Sequence, residues 1–274
     1  MKLAANISMM FTELAFPDRI AAAASAGFRW IECMFPYEFA AEELLDLARR
    51  HNVQFVLINA PAGDWAAGDR GLASDPNRVE EFKKSIPLAL HYAKTLGINQ
   101  AHVLAGCYPK SAEVGDLQHY WSTYRSNLEW LVEQEAPTGF HWLIEPINTR
   151  DVPGYLLNYQ AQAHDLITAI GSDRLRVQMD LYHCQIMEGD ILTRLRAALD
   201  SGRLGHIQIA GVPERHEPND SELNYRKVFD LLETMAYQGA VGCEYRPRGD
   251  TLEGLGWVQQ LGLTALLKTQ GDRR

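Results

Sequence analysis

Apolar and polar residues along the chain follow two periods that succeed one another. Short β-rich runs, such as "HIQIA" from His206, give way to polar turns and then to stretches whose apolar positions recur every three or four residues. The strand-like runs are "KLAANI", "RWIECM", "VQFVLI", "QAHVLA", "FHWLIE", "RVQMDL", "HIQIA" and "AVGCEY", starting near Lys2, Arg29, Val53, Gln100, Phe140, Arg176, His206 and Ala240. Helical periodicity follows each one, in "DRIAAAASAG", "AEELLDLARR", "VEEFKKSIPLALHYAKTLG", "YWSTYRSNLEWLVEQ", "YQAQAHDLITAIG", "DILTRLRAALDSG", "YRKVFDLLETMAYQG" and "GLGWVQQLGLTALLK". Several end on glycine, which takes the left-handed cap conformation without steric cost. Pro87, inside the third helical stretch, lacks an amide proton and is expected to kink or divide it.

Eight such units predict an α/β fold, a single (β/α)8 TIM barrel. No Pro/Ser linker splits the chain, so one domain is expected over 1–274, with the barrel at about 2–266 and a polar, solvated tail, "KTQGDRR". A doubly wound open sheet would place a glycine-rich phosphate turn after an early strand. The first strand leads instead to "SMMFTEL". Two loops are long, "NAPAGDWAAGDRGLASDPN" after the third strand and "GVPERHEPNDSELN" after the seventh, as expected where loops cover a site.

With 274 residues, 46% of them hydrophobic, the chain can bury a large core. Its formal net charge of −9 argues against nucleic acid as a partner, because a phosphate-backbone binder needs a basic patch. Polar residues interrupt the N-terminal segment, and no apolar run approaches a membrane span, so a cytoplasmic enzyme without membrane association is expected. Cys33, Cys107, Cys184 and Cys243 never form CxxC and read as reduced packing residues.

A barrel carries its active site at the C-terminal ends of its strands. Four consecutive strands end in a polar side chain: Glu145 in "HWLIEP", Asp180 in "VQMDLYH", Gln208 in "HIQIAG" and Glu244 in "VGCEYRP". Alternation puts Asp180 on the face of Gln178, Glu145 on that of Leu143 and Glu244 on that of Gly242. Three converging carboxylates repel one another unless something positive lies between them, and a divalent cation meets that need, with the Gln208 amide oxygen completing the set. All-oxygen ligands suit Mg2+ or Mn2+ better than zinc.

His183, at DxxH spacing from Asp180, falls just beyond the strand end, and Arg215 lies in the seventh loop, where a guanidinium can grip a substrate carboxylate. Glu32, Asn6 and Asn59 end the second, first and third strands and are expected at the mouth, either touching the substrate or supporting the side chains that do. His102 and His206 read as buried, hydrogen-bonded histidines.

The segments "LIEPIN", "DLYHCQIMEGD", "HIQIAGVPERHEPNDSELNY", "VGCEYRPRGDTLEGLGW", "NISMMFTE" and "PAGDWAAGDRG" together resemble the hydroxypyruvate isomerase family of xylose-isomerase-like barrels, which includes 2-oxo-tetronate isomerases. The resemblance runs from Asn6 to Trp257. It implies a divalent-metal isomerase in which Glu145 and Glu244 exchange the substrate proton and also touch the metal, with Asp180 and Gln208 as the other ligands. Related epimerases and isomerases carry His at the position of Gln208, which leaves the metal open between Mg2+ and Mn2+. The implied reaction interconverts an α-hydroxy ketone and its isomer through an enediolate, with Arg215 on the substrate carboxylate.

"LIEPINTRDVPGYLL" resembles hydroxypyruvate isomerases, whereas "HVLAGCYP" and "EYRPRGDTLEGLGW" also resemble 2-oxo-tetronate isomerases. The expectation leans to hydroxypyruvate, converted to tartronate semialdehyde, with the four-carbon acid as the alternative and a non-catalytic sugar-acid sensor as a remoter one. A DNA-repair endonuclease of the related barrel type would need more His ligands and a basic face. Exposed helices on such barrels commonly support homo-oligomers.

Overall fold

The computed structural model describes residues 1–109 and 111–267; the tail expected over 268–274 lies outside them. Eight parallel strands close on themselves in chain order: β1 (Lys2–Asn6), β2 (Trp30–Cys33), β3 (Gln54–Asn59), β4 (Gln100–His102), β5 (His141–Ile144), β6 (Leu175–Asp180), β7 (Leu204–Ile209) and β8 (Ala240–Cys243), with β8 pairing back onto β1. The expected (β/α)8 barrel is therefore the observed fold. Around it run α1 (Phe16–Ser25), α2 (Ala41–Arg50), α3 (Val79–Leu96), α4 (Val114–Val132), α5 (Gln160–Ile170), α6 (Leu181–Met187), α7 (Ile191–Asp200), α8 (Tyr225–Thr234), α9 (Thr251–Gly254) and α10 (Gly256–Gln260), followed by a 3-10 turn at Thr264–Leu266. Among the described residues no helix is long and apolar enough to cross a membrane.

The helices form where the apolar stripe meets the barrel wall. In α2, Ala41, Leu44 and Ala48 are buried on one face, while Glu42 and Glu43 at its start and Arg49 and Arg50 at its end complement the helix dipole. Left-handed glycines close α3 and α5, Gly97 at φ 70° and Gly171 at φ 69°.

Pro87 does not divide α3, which runs through it from Val79 to Leu96. Pro87 is exposed, so the carbonyl one turn back that loses its donor lies on the hydrated side, while Ile86 and Ala89 hold the apolar face. The unforeseen element is α6, which starts directly after β6 with no loop.

Strand alternation sorts the sheet into two chemistries. Side chains such as Ile31, Ile144, Met179, Ile207, Ile209 and Val241 belong to the apolar core shared with the helices. The alternate set is polar and equally buried: Asn6, Glu32, His102, Glu145, Gln178, Asp180, His206, Gln208 and Glu244. A barrel whose interior is filled this way must satisfy those groups internally. All four cysteines are free.

Candidate active site

Asp180 ends β6 and caps α6 in one step, its Oδ1 accepting the Tyr182 amide at 2.9 Å. The helix that begins there turns His183 back over the strand end. Its Nε2 lies 3.5 Å from Asp180 Oδ2 and 3.9 Å from Glu145 Oε1, and a ligand atom from each of Glu145, Asp180 and His183 falls within 4.8 Å of the others.

Neighbouring bonds set the tautomer of His183. Asn148 Oδ1 accepts the Asp151 amide at 2.7 Å, which turns its Nδ2 toward His183 Nδ1 at 2.6 Å. Nδ1 is thus the acceptor, and in the neutral ring the proton sits on Nε2, facing the carboxylates. Burial, followed by the charge of Arg215, holds the His183 pKa well below its usual value, so the ring is neutral.

Arg215 supplies the positive charge. It adopts φ 62° in the β7–α8 loop and places Nη2 at 3.2 Å from Asp180 Oδ2 and 2.5 Å from Glu244 Oε2. Burial lowers its pKa, but Glu244 and Asp180 outweigh that and keep it cationic.

Glu145 has no such partner. Burial, then the charges of Glu244 and Asp180, push its pKa well above the carboxylate range. Glu244 is pushed up to about 8, by burial first and by Asp180 and Glu32 against the pull of Arg215. Two like charges 4 to 5 Å apart repel by roughly 4 kcal/mol at an effective dielectric of about 20, so this cluster calls for more positive charge than one guanidinium.

The donor set fits a hard divalent cation. Glu145 Oε1 and Gln178 Oε1 are buried acceptors with no hydrogen-bond partner among the described residues, and the three carboxylates arrive from the ends of β5, β6 and β8. Gln208, expected as the fourth ligand, faces elsewhere: its Oε1 accepts from Gln178 Nε2 at 2.7 Å and its Nε2 donates to Glu32 Oε1 at 2.8 Å.

Asn6 and Glu32, expected as substrate or supporting contacts at the mouth, sit inside the barrel and bond to other side chains. Asn6 Nδ2 donates to Glu32 Oε1 at 3.0 Å and to Glu244 Oε1 at 3.2 Å, while Glu32 Oε2 lies 2.7 Å from His206 Nε2. An open cavity of about 770 Å³ lies above, lined by Glu145, Glu244, His183, Arg215 and Asn59.

Three further cavity residues escaped the sequence reading of the site. His102 lies with Nδ1 3.4 Å from Glu145 Oε2, and neither ring nitrogen has a hydrogen-bond partner among the described residues; burial, with His206 nearby, pushes its pKa down to about 3. His206 is hydrogen-bonded as expected, whereas His102 has no such bond among the described residues.

Arg70 and Arg246 also line the cavity, and neither has a carboxylate within ion-pair distance among the described residues. Arg70 stacks on Trp65 at 4.1 Å and donates Nη1 to the Asp69 and Trp65 carbonyls at 2.6 and 3.1 Å. The signals for it were its place in the long third loop and within the segment "PAGDWAAGDRG".

A family model described as xylose isomerase-like TIM barrel matches residues 20–261. The chain is 49% identical to 2-oxo-tetronate isomerase of Cupriavidus necator over 94% of this chain and 97% of that protein. It is 39% identical to hydroxypyruvate isomerase of Escherichia coli over 94% and 98% of the respective chains. The crystal structure of AP endonuclease, family 2 from Brucella melitensis superposes with a TM-score of 0.89 at 41% identity, covering 95% of this chain and 99% of that one.

Proposed function

Because this chain belongs to the xylose isomerase-like TIM-barrel family and is an isomerase, we propose that it interconverts 2-oxo-tetronate with its 3-oxo isomer. The observation that carries the reading is the pair of buried carboxylates, Glu145 and Glu244, opening into one cavity with Asp180 on the strand between β5 and β7. Hydroxypyruvate is the second reading, favoured by the sequence motifs. The four-carbon acid takes precedence because identity to its isomerase is 49%, against 39% for the three-carbon enzyme.

One glutamate removes the proton from the hydroxyl-bearing carbon, and the electron pair of that C–H bond becomes the carbon–carbon double bond of an enediol(ate). The other glutamate delivers a proton to the former carbonyl carbon, while the hydroxyl proton passes between the two oxygens. Atoms and electrons balance without a co-reactant. The Glu244 pKa, pushed up to about 8, suits a carboxyl that alternates between acid and base, and burial raises Glu145 in the same direction.

His183 presents Nε2–H to the oxygens that exchange this proton. Glu145, Asp180 and Glu244 are the residues that would hold Mg2+ or Mn2+, with Gln208 able to join only by turning its amide away from Gln178. When bound, such a cation supplies Lewis-acid stabilisation of negative charge on the substrate oxygens.

Arg215 is engaged by Asp180 and Glu244, whereas Arg70 is pre-set by its own loop on the opposite side of the mouth, since β3 and β7 face each other in an eight-strand barrel. Arg70 is therefore the better grip for the substrate carboxylate. The net charge of −9 supports a small acid over DNA as the partner.

The test is proton NMR in D2O with 2-oxo-tetronate and hydroxypyruvate, with and without a chelator. Metal-dependent turnover with deuterium at the isomerised carbon is the expected result, faster for the four-carbon acid. Turnover of neither acid with metal restored would sink the reading.

A further inference from the structure

The polar interior beneath the cavity forms one connected chain of hydrogen bonds. From Glu145 Oε2 it runs to Gln178 Nε2 (2.9 Å), which also donates to Gln208 Oε1 (2.7 Å); Gln208 Nε2 donates to Glu32 Oε1 (2.8 Å), and Asn6 Nδ2 links that same oxygen (3.0 Å) to Glu244 Oε1 (3.2 Å). The two glutamates that face the cavity are thus tied to each other from below, and the path between them passes through Glu32.

Glu32 is itself fully buried and paired with His206, whose Nδ1 lies 3.3 Å from Gln100 Nε2. We infer that Glu32, anchored by His206, is the positioning residue that fixes both Glu145 and Glu244.

Three features show that the backbone is shaped to hold Glu32 there. The β2–β3 ladder shifts register between Ile31 and Glu32, and the β6–β7 ladder shifts between Val177 and Gln178, so both irregularities fall at members of the chain. Such irregularities re-aim side chains.

On β8, a Cβ at Gly242 would overlap the Glu32 carboxylate, so only glycine leaves it room. The amides of Gln178, Gln208 and Asn6 are also fixed in direction, because the Glu32 carboxylate can only accept. Reversing any of these amides would set donor against donor or acceptor against acceptor.

A full-length carboxylate at residue 32 therefore dictates which atom each amide offers upward. The consequence is that Glu145 and Glu244 each receive one N–H from below, leaving Glu145 Oε1 for the cavity and Glu244 Oε2 for Arg215.

The inference rests on the reading of Glu145 and Glu244 as the proton-transfer pair, and its test is separable from that reading. The full-length protein would be made as wild type, Glu32→Gln, Gly242→Ala, Glu32→Ala and the double variant Glu32→Ala/Gly242→Ala. Crystal structures read the two carboxylate positions, calorimetric titration reads Mn2+ affinity, and kinetics read kcat and KM separately.

Expected in Glu32→Gln are displaced Glu145 and Glu244 carboxylates, Mn2+ binding weaker by ~10- to 100-fold, and a similar loss in kcat with KM nearly unchanged. Gly242→Ala should reproduce these effects with Glu32 still present, and should add nothing in the Glu32→Ala background. Should Glu32→Gln not fold, Gly242→Ala still carries the test.

Folded variants with both carboxylates in place and Mn2+ affinity unchanged would overturn the inference. So would a Gly242→Ala effect that persists without the Glu32 carboxylate. If wild type isomerises neither acid but the carboxylates still shift in the variants, the isomerase reading fails and the positioning role of Glu32 stands.

Discussion

Glu145 and Glu244 resemble each other in burial and differ in company: Glu244 shares Arg215 with Asp180, while Glu145 faces two neutral histidines, His102 and His183. If both exchange the substrate proton, Glu145→Gln and Glu244→Gln should each lower kcat by ~10²- to 10⁴-fold while substrate still binds. Single-turnover NMR in D2O with a parallel binding titration checks this.

Arg70 makes a different prediction, because it acts on the carboxylate and not on the reacting carbons. Arg70→Met should raise KM for 2-oxo-tetronate by ~10- to 100-fold, the worth of a charged hydrogen bond. Steady-state kinetics should show little change with erythrulose, in which a hydroxymethyl group replaces the carboxylate.

At the scale of elements, the third loop is a docked structure. Asp69 pairs with Arg78 at 2.7 Å and accepts the Asp64 amide at 2.7 Å, while Gly71 forms a bridge to Ala105 just beyond β4. Gly71 holds φ 128°, and a Cβ there would strike the Leu104 carbonyl. Gly71→Ala should cost about 1–3 kcal/mol in chemical denaturation and, by releasing Arg70, raise KM for the acid. A stability loss with unchanged KM would separate the loop from substrate binding. The short helix α6 illustrates the same coupling, since one cap at Asp180 both starts the helix and aims His183.

For the molecule as a whole, the polar barrel interior links stability to pH. Glu244 titrates at about 8 in the folded chain, against 4.5 for an ordinary glutamate. Between those values the folded chain binds more protons than the unfolded one, so stability falls as pH rises. This contribution is whole below about pH 4.5 and lost by about pH 8. The melting temperature of EDTA-treated protein should therefore decline from about pH 5 to about pH 8, and added Mn2+ should flatten that decline by replacing protons with metal charge. Differential scanning calorimetry across that range tests it.

The barrel was legible from local pattern, because a period of two followed by a period of 3.6, eight times over, leaves few ways to bury the apolar faces. The site carboxylates were legible for a related reason: Glu145, Asp180 and Glu244 are polar residues at the ends of apolar strands, and closure of the barrel brings such ends together. What Gln208, Glu32 and Asn6 do was not legible, since their roles depend on register shifts and on the room left by Gly242 two strands away from Glu32. Arg70 and His102 were hidden likewise, one in a loop and one in an apolar strand, until tertiary packing turned both into the same cavity. Sequence alone determines which residues alternate and where strands end, because those are local properties of the chain. Only the closed barrel decides which donor meets which acceptor, because hydrogen bonds require specific atoms from distant segments to meet within about 3 Å.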